Sequence, residues 1–275
     1  MNKYYPFTVL MAVYKNDRPE YFKQAVESVT LKQSIKPDEV VVVVDGPVPQ
    51  ELDCSIRELE ELYGLRILRL KDNKGLGVAL REGILIASND IVARMDSDDI
   101  AVPNRFELQL SYLVNNPSCD LVGGQISEFI ELENNIVGKR EVPCYSQDIN
   151  LYLQARCPFN HMTVMFKKSS VLSAGNYIDW HYNEDYYLWI RMMEAGCEFA
   201  NLPDTLVNVR VGKDMYARRG GWKYFISEKG LQDYMLKHGI IGLPKYVLNV
   251  IIRFGVQVVI PNRLRGFLFQ KIFRK

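Results

Sequence analysis

The sequence predicts an α/β fold in which a mostly parallel central sheet is flanked by helices and a helical tail follows at the C-terminus. Two observations predict it. Short apolar runs typical of buried strands alternate with segments whose apolar residues recur at helical spacing, and such alternation favours a parallel sheet covered on both sides. The apolar fraction of 48% is sufficient for a large core, which excludes a disordered chain.

The predicted elements alternate regularly through the first half of the chain. The predicted strands are residues 7–13, 39–45 ("EVVVVVD"), 65–70 ("LRILRL") and 91–95. The predicted helices are residues 19–31, 52–62 and 75–87. The second strand is β-branched without alternation, as expected of a strand that is covered on both faces.

Charge and cysteine content exclude several classes of protein. A net charge of +1 argues against a general nucleic-acid binder, which needs a strong basic excess. The five cysteines are odd in number and form no CxxC pair, so we expect reduced thiols in a cytosolic protein rather than disulfides or a zinc site. The apolar run near the N-terminus is too short for a secretion signal.

Acidic residues follow two of the predicted parallel strands. Asp45 ends the second strand, and Asp96, Asp98 and Asp99 follow the strand 91–95 in "ARMDSDDI". Ligands of open α/β sheets bind outside the carboxyl ends of the strands, so these acids are expected to face one crevice. A D-x-D turn offers the carboxylates that Mg²⁺ takes together with substrate phosphate oxygens. The alternative is a pair of solvated turns.

Five ordered motifs carry a resemblance to a known family: "FTVLMAVYKND", "VVVVDG", "DNKGLGVALREG", "ARMDSDDIAVPNRFELQ" and "YNEDYYLWIRMMEAG". Over residues 5–215 the chain resembles the family 2 glycosyltransferases, inverting enzymes of the GT-A fold that use nucleotide-diphosphate sugars. The stretch "VGKDMYARRGGWKYF" further resembles a bacterial subgroup that builds capsule, exopolysaccharide and O-antigen. The resemblance implies a sugar nucleotide donor and a divalent cation.

The resemblance also implies which residues bind the donor. The expected nucleotide-binding residues are Ala12, Val13, Tyr14, Asp17, Asp45, Asn73, Lys74, Gly75 and Asp96. Asp45 is expected at the base edge, where an acceptor-only carboxylate suits the N–H donors of uracil or guanine. Asp98 is expected to hold Mg²⁺ or Mn²⁺ together with Asp96. A UDP-sugar is the expected donor.

On the acceptor side, the resemblance implies Asp185 as the general base, with Glu184 as the alternative. Without the resemblance, this pair reads as acids favoured at a helix start. His161 is expected near the acceptor, and a structural histidine is the alternative. Arg210, Arg218 and Arg219 are expected to form a mobile loop over the diphosphate. Many relatives carry a histidine where this chain has "RVGKDM", which leaves a third metal-side ligand unassigned.

The expected organisation is a catalytic domain over residues 1–240, with a nucleotide half of about 1–100 and an acceptor half of about 101–220, then a tail over 241–275. No acidic residue follows Asp233, while basic residues recur. Asn249, Arg253 and Gln257 form one polar stripe on an otherwise apolar helix. We expect this tail to lie on the anionic inner leaflet, which makes the protein cytoplasmic and peripheral. Packing onto the domain or in a homodimer is the alternative.

The resulting expectation is an enzyme that moves a sugar from a nucleotide-diphosphate donor to a saccharide acceptor, lipid-linked, in bacterial surface polysaccharide synthesis. A sugar nucleotidyltransferase is one alternative, although "MAVYKND" lacks the glycine-rich basic start of that class. A catalytically inactive nucleotide-sugar-binding module is the other, and the intact acids argue against it.

Overall fold

A mixed sheet runs through the part of the chain that the computed structural model describes, residues 4–212 and 220–260. Its strands are β1 (Phe7–Val13), β2 (Glu39–Val44), β3 (Arg66–Arg69), β4 (Ile91–Met95), β5 (Ile100–Ala101), β6 (Cys119–Phe129), β7 (Ile136–Arg140), β8 (Met165–Lys167) and β9 (Glu198–Arg210). The helices are α1 (Pro19–Val29), α2 (Gln50–Tyr63), α3 (Leu76–Ile86), α4 (Arg105–Asn115), α5 (Ser146–Leu153), α6 (Lys168–Ser173), α7 (Glu184–Glu194), α8 (Trp222–Lys237) and α9 (Leu243–Phe254).

The strand order β3-β2-β1-β4-β8-β6-β9-β5, with β7 beside β6, confirms the α/β class. Strands β1 to β4 pair in parallel, and the predicted elements of this half are all present. In the second half, β8 runs antiparallel to β4 and β6, while β9 is parallel to β6. The parallel first half fixes the site, because the ends of β2 and β4 lie on either side of β1 at one edge of the sheet.

Apolar side chains fill both faces of the sheet. Helices α1, α2 and α4 cover one face, where Phe22, Ile56 and Phe106 are fully buried. Helices α3 and α5 to α8 cover the other, with Leu80 and Trp189 in its centre. Side chains alternate between faces along each strand, so every strand of the parallel half contributes to both clusters.

The tail helix α9 packs on the domain through its polar side. Asn249 and Arg253 are its buried residues, and Gln257 is buried in the π-helical turn Gly255–Val259 that follows. The predicted polar stripe therefore exists but faces inward. No helix within the described ranges combines the length and apolar character that crossing a membrane requires. Residues 261–275, the second part of the predicted tail, lie outside the described residues.

Candidate active site

The D-x-D turn follows β4 directly. Asp96 is half-buried, and its Oδ1 lies 2.5 Å from Nη2 of Arg94. Asp98 is exposed, whereas Asp99 is buried and accepts a hydrogen bond of 2.8 Å from the backbone N–H of Arg210. Asp99 therefore fixes the turn to β9. Desolvation of the carboxylate by the surrounding protein, together with repulsion by Asp96, raises the pKa of Asp98 to about 6.

The turn after β1 is held against the D-x-D turn through Asp17. One oxygen of its carboxylate accepts hydrogen bonds from the Tyr14 N–H at 3.0 Å and from the Ser97 hydroxyl at 2.9 Å. Burial raises the pKa of Asp17 to about 6, and the nearby Asp96 adds to the shift. Ala12 and Val13 end β1 at the same edge of the sheet, so four of the expected nucleotide residues adjoin the acids.

Asp45, which follows β2, fixes the loop that contains Asn73, Lys74 and Gly75. Its two carboxylate oxygens accept the backbone N–H groups of Lys74, at 2.7 Å, and Gly75, at 2.9 Å. The Asn73 side chain donates back to the Asp45 carbonyl at 3.0 Å. Gly46 has a positive φ of 83°, and a Cβ there would lie 2.5 Å from the Asn73 backbone nitrogen. The structure thus brings together the expected residues of this loop, with Asp45 as its anchor.

The prediction that three arginines form a mobile loop over the diphosphate is wrong for Arg210. Arg210 lies in β9, not in a mobile loop, and its guanidinium stacks 3.9 Å from the centre of the Tyr21 ring. The guanidinium also donates to the carbonyl groups of Asp98 and Glu131. These contacts fix the Arg210 guanidinium against the D-x-D turn. Arg218 and Arg219 lie outside the described residues.

Glu184 and Asp185 begin α7, which packs against the start of α3. A Cβ on Gly77 of α3 would lie 3.0 Å from the Glu184 Cβ, so the glycine permits close packing of the two helix starts. Burial, then repulsion by Asp185, raises the pKa of Glu184 to about 7. Burial also raises the pKa of Asp185, against the opposing effects of the Tyr186 N–H, Arg94 and Arg140.

His161 lies beside Asp185. Its Nδ1 is 3.9 Å from Asp185 Oδ2, and its Nε2 shares a 2.7 Å hydrogen bond with the Tyr177 hydroxyl. Burial and the nearby charge of Arg94 hold the pKa of His161 well below its usual range. The ring is therefore neutral and can orient Asp185 or an acceptor hydroxyl.

Arg94 is the residue that sequence reasoning missed. Its side chain is 2% exposed, and its Nε and Nη1 have no hydrogen-bond partner among the described residues. Its positive charge opposes the rise in the pKa values of Asp98, Glu184 and Asp185, so one buried guanidinium acts on the acids of the D-x-D turn and on those at the start of α7. Its signal in the sequence was a single basic residue inside the apolar strand "IVARM".

The carboxylates of the D-x-D turn fit a divalent cation that is held mainly by substrate and water. Within the described ranges, no three His, Cys, Asp or Glu side chains are grouped as a complete metal site. Mg²⁺, however, commonly takes one or two protein carboxylates and completes its shell with phosphate oxygens and water. Asp98 is exposed at the turn, and mutual repulsion with Asp96 is what a cation would relieve.

Comparison with known proteins agrees with this geometry. Residues 8–172 match the glycosyl transferase family 2 profile. The amylovoran biosynthesis glycosyltransferase AmsE of Erwinia amylovora is 39% identical over 96% of this chain and 98% of its own. The UDP-Gal:alpha-D-GlcNAc-diphosphoundecaprenol beta-1,3-galactosyltransferase of Escherichia coli is 35% identical over 98% of this chain and 97% of its own.

A solved structure confirms the GT-A fold. The mannosyltransferase PcManGT from Pyrobaculum calidifontis, in complex with GDP-Man and Mn²⁺, superposes with a TM-score of 0.62 at 16% identity. The match covers 96% of this chain and 72% of that one. Sequence relatives of this closeness, with bacterial polysaccharide enzymes among them, show the family as well as the fold. The chain belongs to glycosyl transferase family 2.

Proposed function

We propose that the protein is a metal-dependent, inverting glycosyltransferase that moves a sugar from a UDP-sugar to a lipid-linked saccharide in the synthesis of a bacterial surface polysaccharide. The observation that carries this proposal is the arrangement of two acid pairs around Arg94. Arg94 pairs directly with Asp96 of the D-x-D turn, and its charge also acts on Asp98 and on Glu184 and Asp185 at the start of α7. One pair suits the donor and the other the acceptor.

The donor binds at the carboxyl ends of β1, β2 and β4. Asp45 and the loop that it anchors face the base, and Asp17 and Asp96 face the ribose. Asp98, with Asp96, would hold Mg²⁺ or Mn²⁺, which would neutralise the leaving diphosphate. The E. coli relative is named for the donor UDP-Gal, which supports a UDP-sugar, and the Mn²⁺ in the mannosyltransferase complex supports the cation.

Asp185 is the general base. It accepts the proton of the acceptor hydroxyl as that oxygen forms its bond to the anomeric carbon, while the bond to the UDP oxygen breaks on the opposite face. The electron pair leaves with UDP, and the configuration inverts. A positioned base contributes about 10²–10⁴-fold to such a step. Arg94 and Arg140 favour the ionised form of Asp185, since both charges oppose the rise in its pKa that burial causes.

The catalytic unit extends to about residue 240, and the tail brings it to the inner face of the membrane. The basic, acid-free composition after Asp233 supports this location, because each basic residue near an anionic surface adds about 1 kcal/mol. An acceptor on a lipid makes such attachment useful. The E. coli relative, named for a diphosphoundecaprenol-linked acceptor, supports a lipid carrier.

One experiment separates transfer from the alternatives. The purified protein is incubated with a panel of nucleotide sugars with Mn²⁺ or EDTA, and thermal stabilisation and slow donor hydrolysis are measured. We expect metal-dependent stabilisation by a UDP-sugar and release of UDP. Pyrophosphate release from UTP and a sugar 1-phosphate would instead identify a nucleotidyltransferase, and binding without hydrolysis or transfer would identify an inactive module.

A further inference from the structure

A cavity of about 460 Å³ extends from the proposed base to the tail helix. Asp185 and His161 line it, and so do Ile252 and Arg253 of α9. Since α9 forms part of its wall, the cavity exists only when the tail is docked. It is separate from the nucleotide edge of the sheet, because none of the residues that line it belongs to β1, β2, β4 or the loops that follow them.

Two further residues of the cavity wall are arginines. Arg140 ends β7, and its Nη2 donates to the Cys157 carbonyl at 3.1 Å. Arg156 follows α5, and its guanidinium lies 5.7 Å from the centre of the Tyr152 ring. Both line the cavity. Guanidinium groups bind phosphate oxygens in pairs of parallel hydrogen bonds, which makes adjacent arginines a favourable phosphate site.

A third arginine in the cavity wall, Arg253, fixes the position of α9. Arg253 Nε lies 2.6 Å from Glu228 Oε2, and its Nη2 donates to the Ala155 carbonyl at 2.6 Å. Asn249, one turn earlier, donates to the Gln154 carbonyl at 2.9 Å. These buried polar contacts fix α9 with its polar side against the domain. Its apolar side must then face outward.

The outward side of α9 is an apolar face with no covering segment in the described part of the chain. Its side chains are between 41% and 64% exposed: Leu243, Val247, Leu248, Ile251, Ile252, Phe254 and Val259. The exposed Trp222 of α8 extends this face, with its ring 6.4 Å from that of Phe254. A water-soluble helix normally buries its apolar side, so a continuous exposed face of this kind marks an apolar partner.

Ile252 belongs to both features, since it lines the cavity and is 52% exposed on the apolar face. The cavity therefore brings together the proposed base, two arginines and one residue of the apolar face. We propose that Arg140 and Arg156 bind the phosphate or diphosphate that joins the acceptor sugar to its lipid, and that the outward face of α9 receives the lipid chain. This inference rests on the proposed function, because it places the acceptor sugar at Asp185.

The base, the two arginines and the apolar face match the three parts of such an acceptor. The sugar hydroxyl reaches Asp185, the anionic link meets the guanidinium groups, and the hydrocarbon leaves over Ile252 towards the membrane. A second protein copy would explain the apolar face alone, but it would leave unexplained why arginines and the base continue from that face inward.

The test uses the full-length protein with EDTA, which removes metal-dependent binding of a diphosphate at the donor site. The probes are geranylgeranyl diphosphate, geranylgeraniol and inorganic pyrophosphate, and binding is measured by displacement of a fluorescent prenyl diphosphate. We expect geranylgeranyl diphosphate to bind at least tenfold more tightly than either of the other two. The double variant Arg140→Gln/Arg156→Gln is expected to lose at least tenfold in affinity, and Ile252→Ser is expected to weaken prenyl diphosphate but not pyrophosphate.

The matched control is Arg57→Gln, an exposed arginine of α2 whose loss should leave the affinity unchanged. Equal binding by wild type and the double variant would overturn the inference. So would binding of phosphatidylglycerol vesicles through the two arginines without competition by geranylgeranyl diphosphate, because the site would then belong to a lipid headgroup. UDP binding with Mn²⁺ separates the two levels: if it persists while prenyl diphosphate fails to bind, only the acceptor site is wrong.

Discussion

Arg94 and Asp96 form an ion pair with 2.5 Å between Nη2 and Oδ1, at the point where β4 enters the D-x-D turn. The arginine side chain is 2% exposed and that of the aspartate 29%. A buried charge is costly unless it is paired, so this contact fixes where the first acid of the turn can lie. The charge of the same guanidinium opposes the rise in the pKa of Asp185 that burial causes, and so links the D-x-D turn to the proposed base.

Replacing Arg94 with Met should destabilise the protein strongly. Removing one partner of a buried ion pair typically costs about 3–5 kcal/mol, because it leaves the other charge unpaired. The control is Lys23→Met, which removes an exposed pair with Glu58 and should cost no more than about 1 kcal/mol. The measurement is urea unfolding at neutral pH, and equal losses for the two variants would contradict the importance of the buried pair.

Asp98→Ala should abolish stabilisation by UDP plus Mn²⁺. A ligand at one hundred times its Kd stabilises the folded state by about 2.7 kcal/mol, and that increment should vanish without the carboxylate. The variant itself should remain folded, because Asp98 is exposed and its repulsion by Asp96 is removed. Thermal unfolding with and without UDP and Mn²⁺ measures both effects. An unchanged increment would move the metal away from this turn.

Glu184→Gln should stabilise the ligand-free protein at pH 8 and have little effect near pH 4.5. The pKa of this carboxyl is raised from 4.5 to about 7 in the folded state. A raised pKa means that the folded protein binds the proton more tightly, so the wild type loses stability as the pH rises from about 4.5 to 7. Glutamine does not titrate and escapes this loss. The melting temperature of the variant should therefore exceed that of the wild type by an increasing amount as the pH rises from about 4.5 to 8. A difference that does not change with pH would contradict the raised pKa of Glu184.

The parallel half of the fold was predictable because each strand and helix there has a clear periodicity. "EVVVVVD" could only be a strand buried on both faces, and β2 is buried along nearly its whole length. The second half was not predicted in this detail, since antiparallel partners such as β8 are only three residues long and give no pattern. The sequence also could not show that Arg210 would be held by Tyr21 and Asp98.

The site divides in the same way. The acids that end strands were predictable, because parallel strands bring their carboxyl ends together. Arg94 was not, since its importance depends on which acids surround it after folding. The polar stripe of α9 was visible in the sequence, but its inward orientation was not: that depends on partners such as Glu228 and Gln232, which lie on another helix.

The most direct test of the proposed mechanism is sugar transfer by wild type and Asp185→Asn. The full-length proteins are incubated with Mn²⁺, a UDP-sugar that stabilises them and a lipid extract containing lipid-linked saccharides, and the products are followed by mass spectrometry. We predict that the wild type adds one sugar unit, and that Asp185→Asn retains UDP affinity while losing at least about 100-fold in transfer rate, as removal of a base requires. Transfer by Asp185→Asn at a rate near that of the wild type would contradict the assignment.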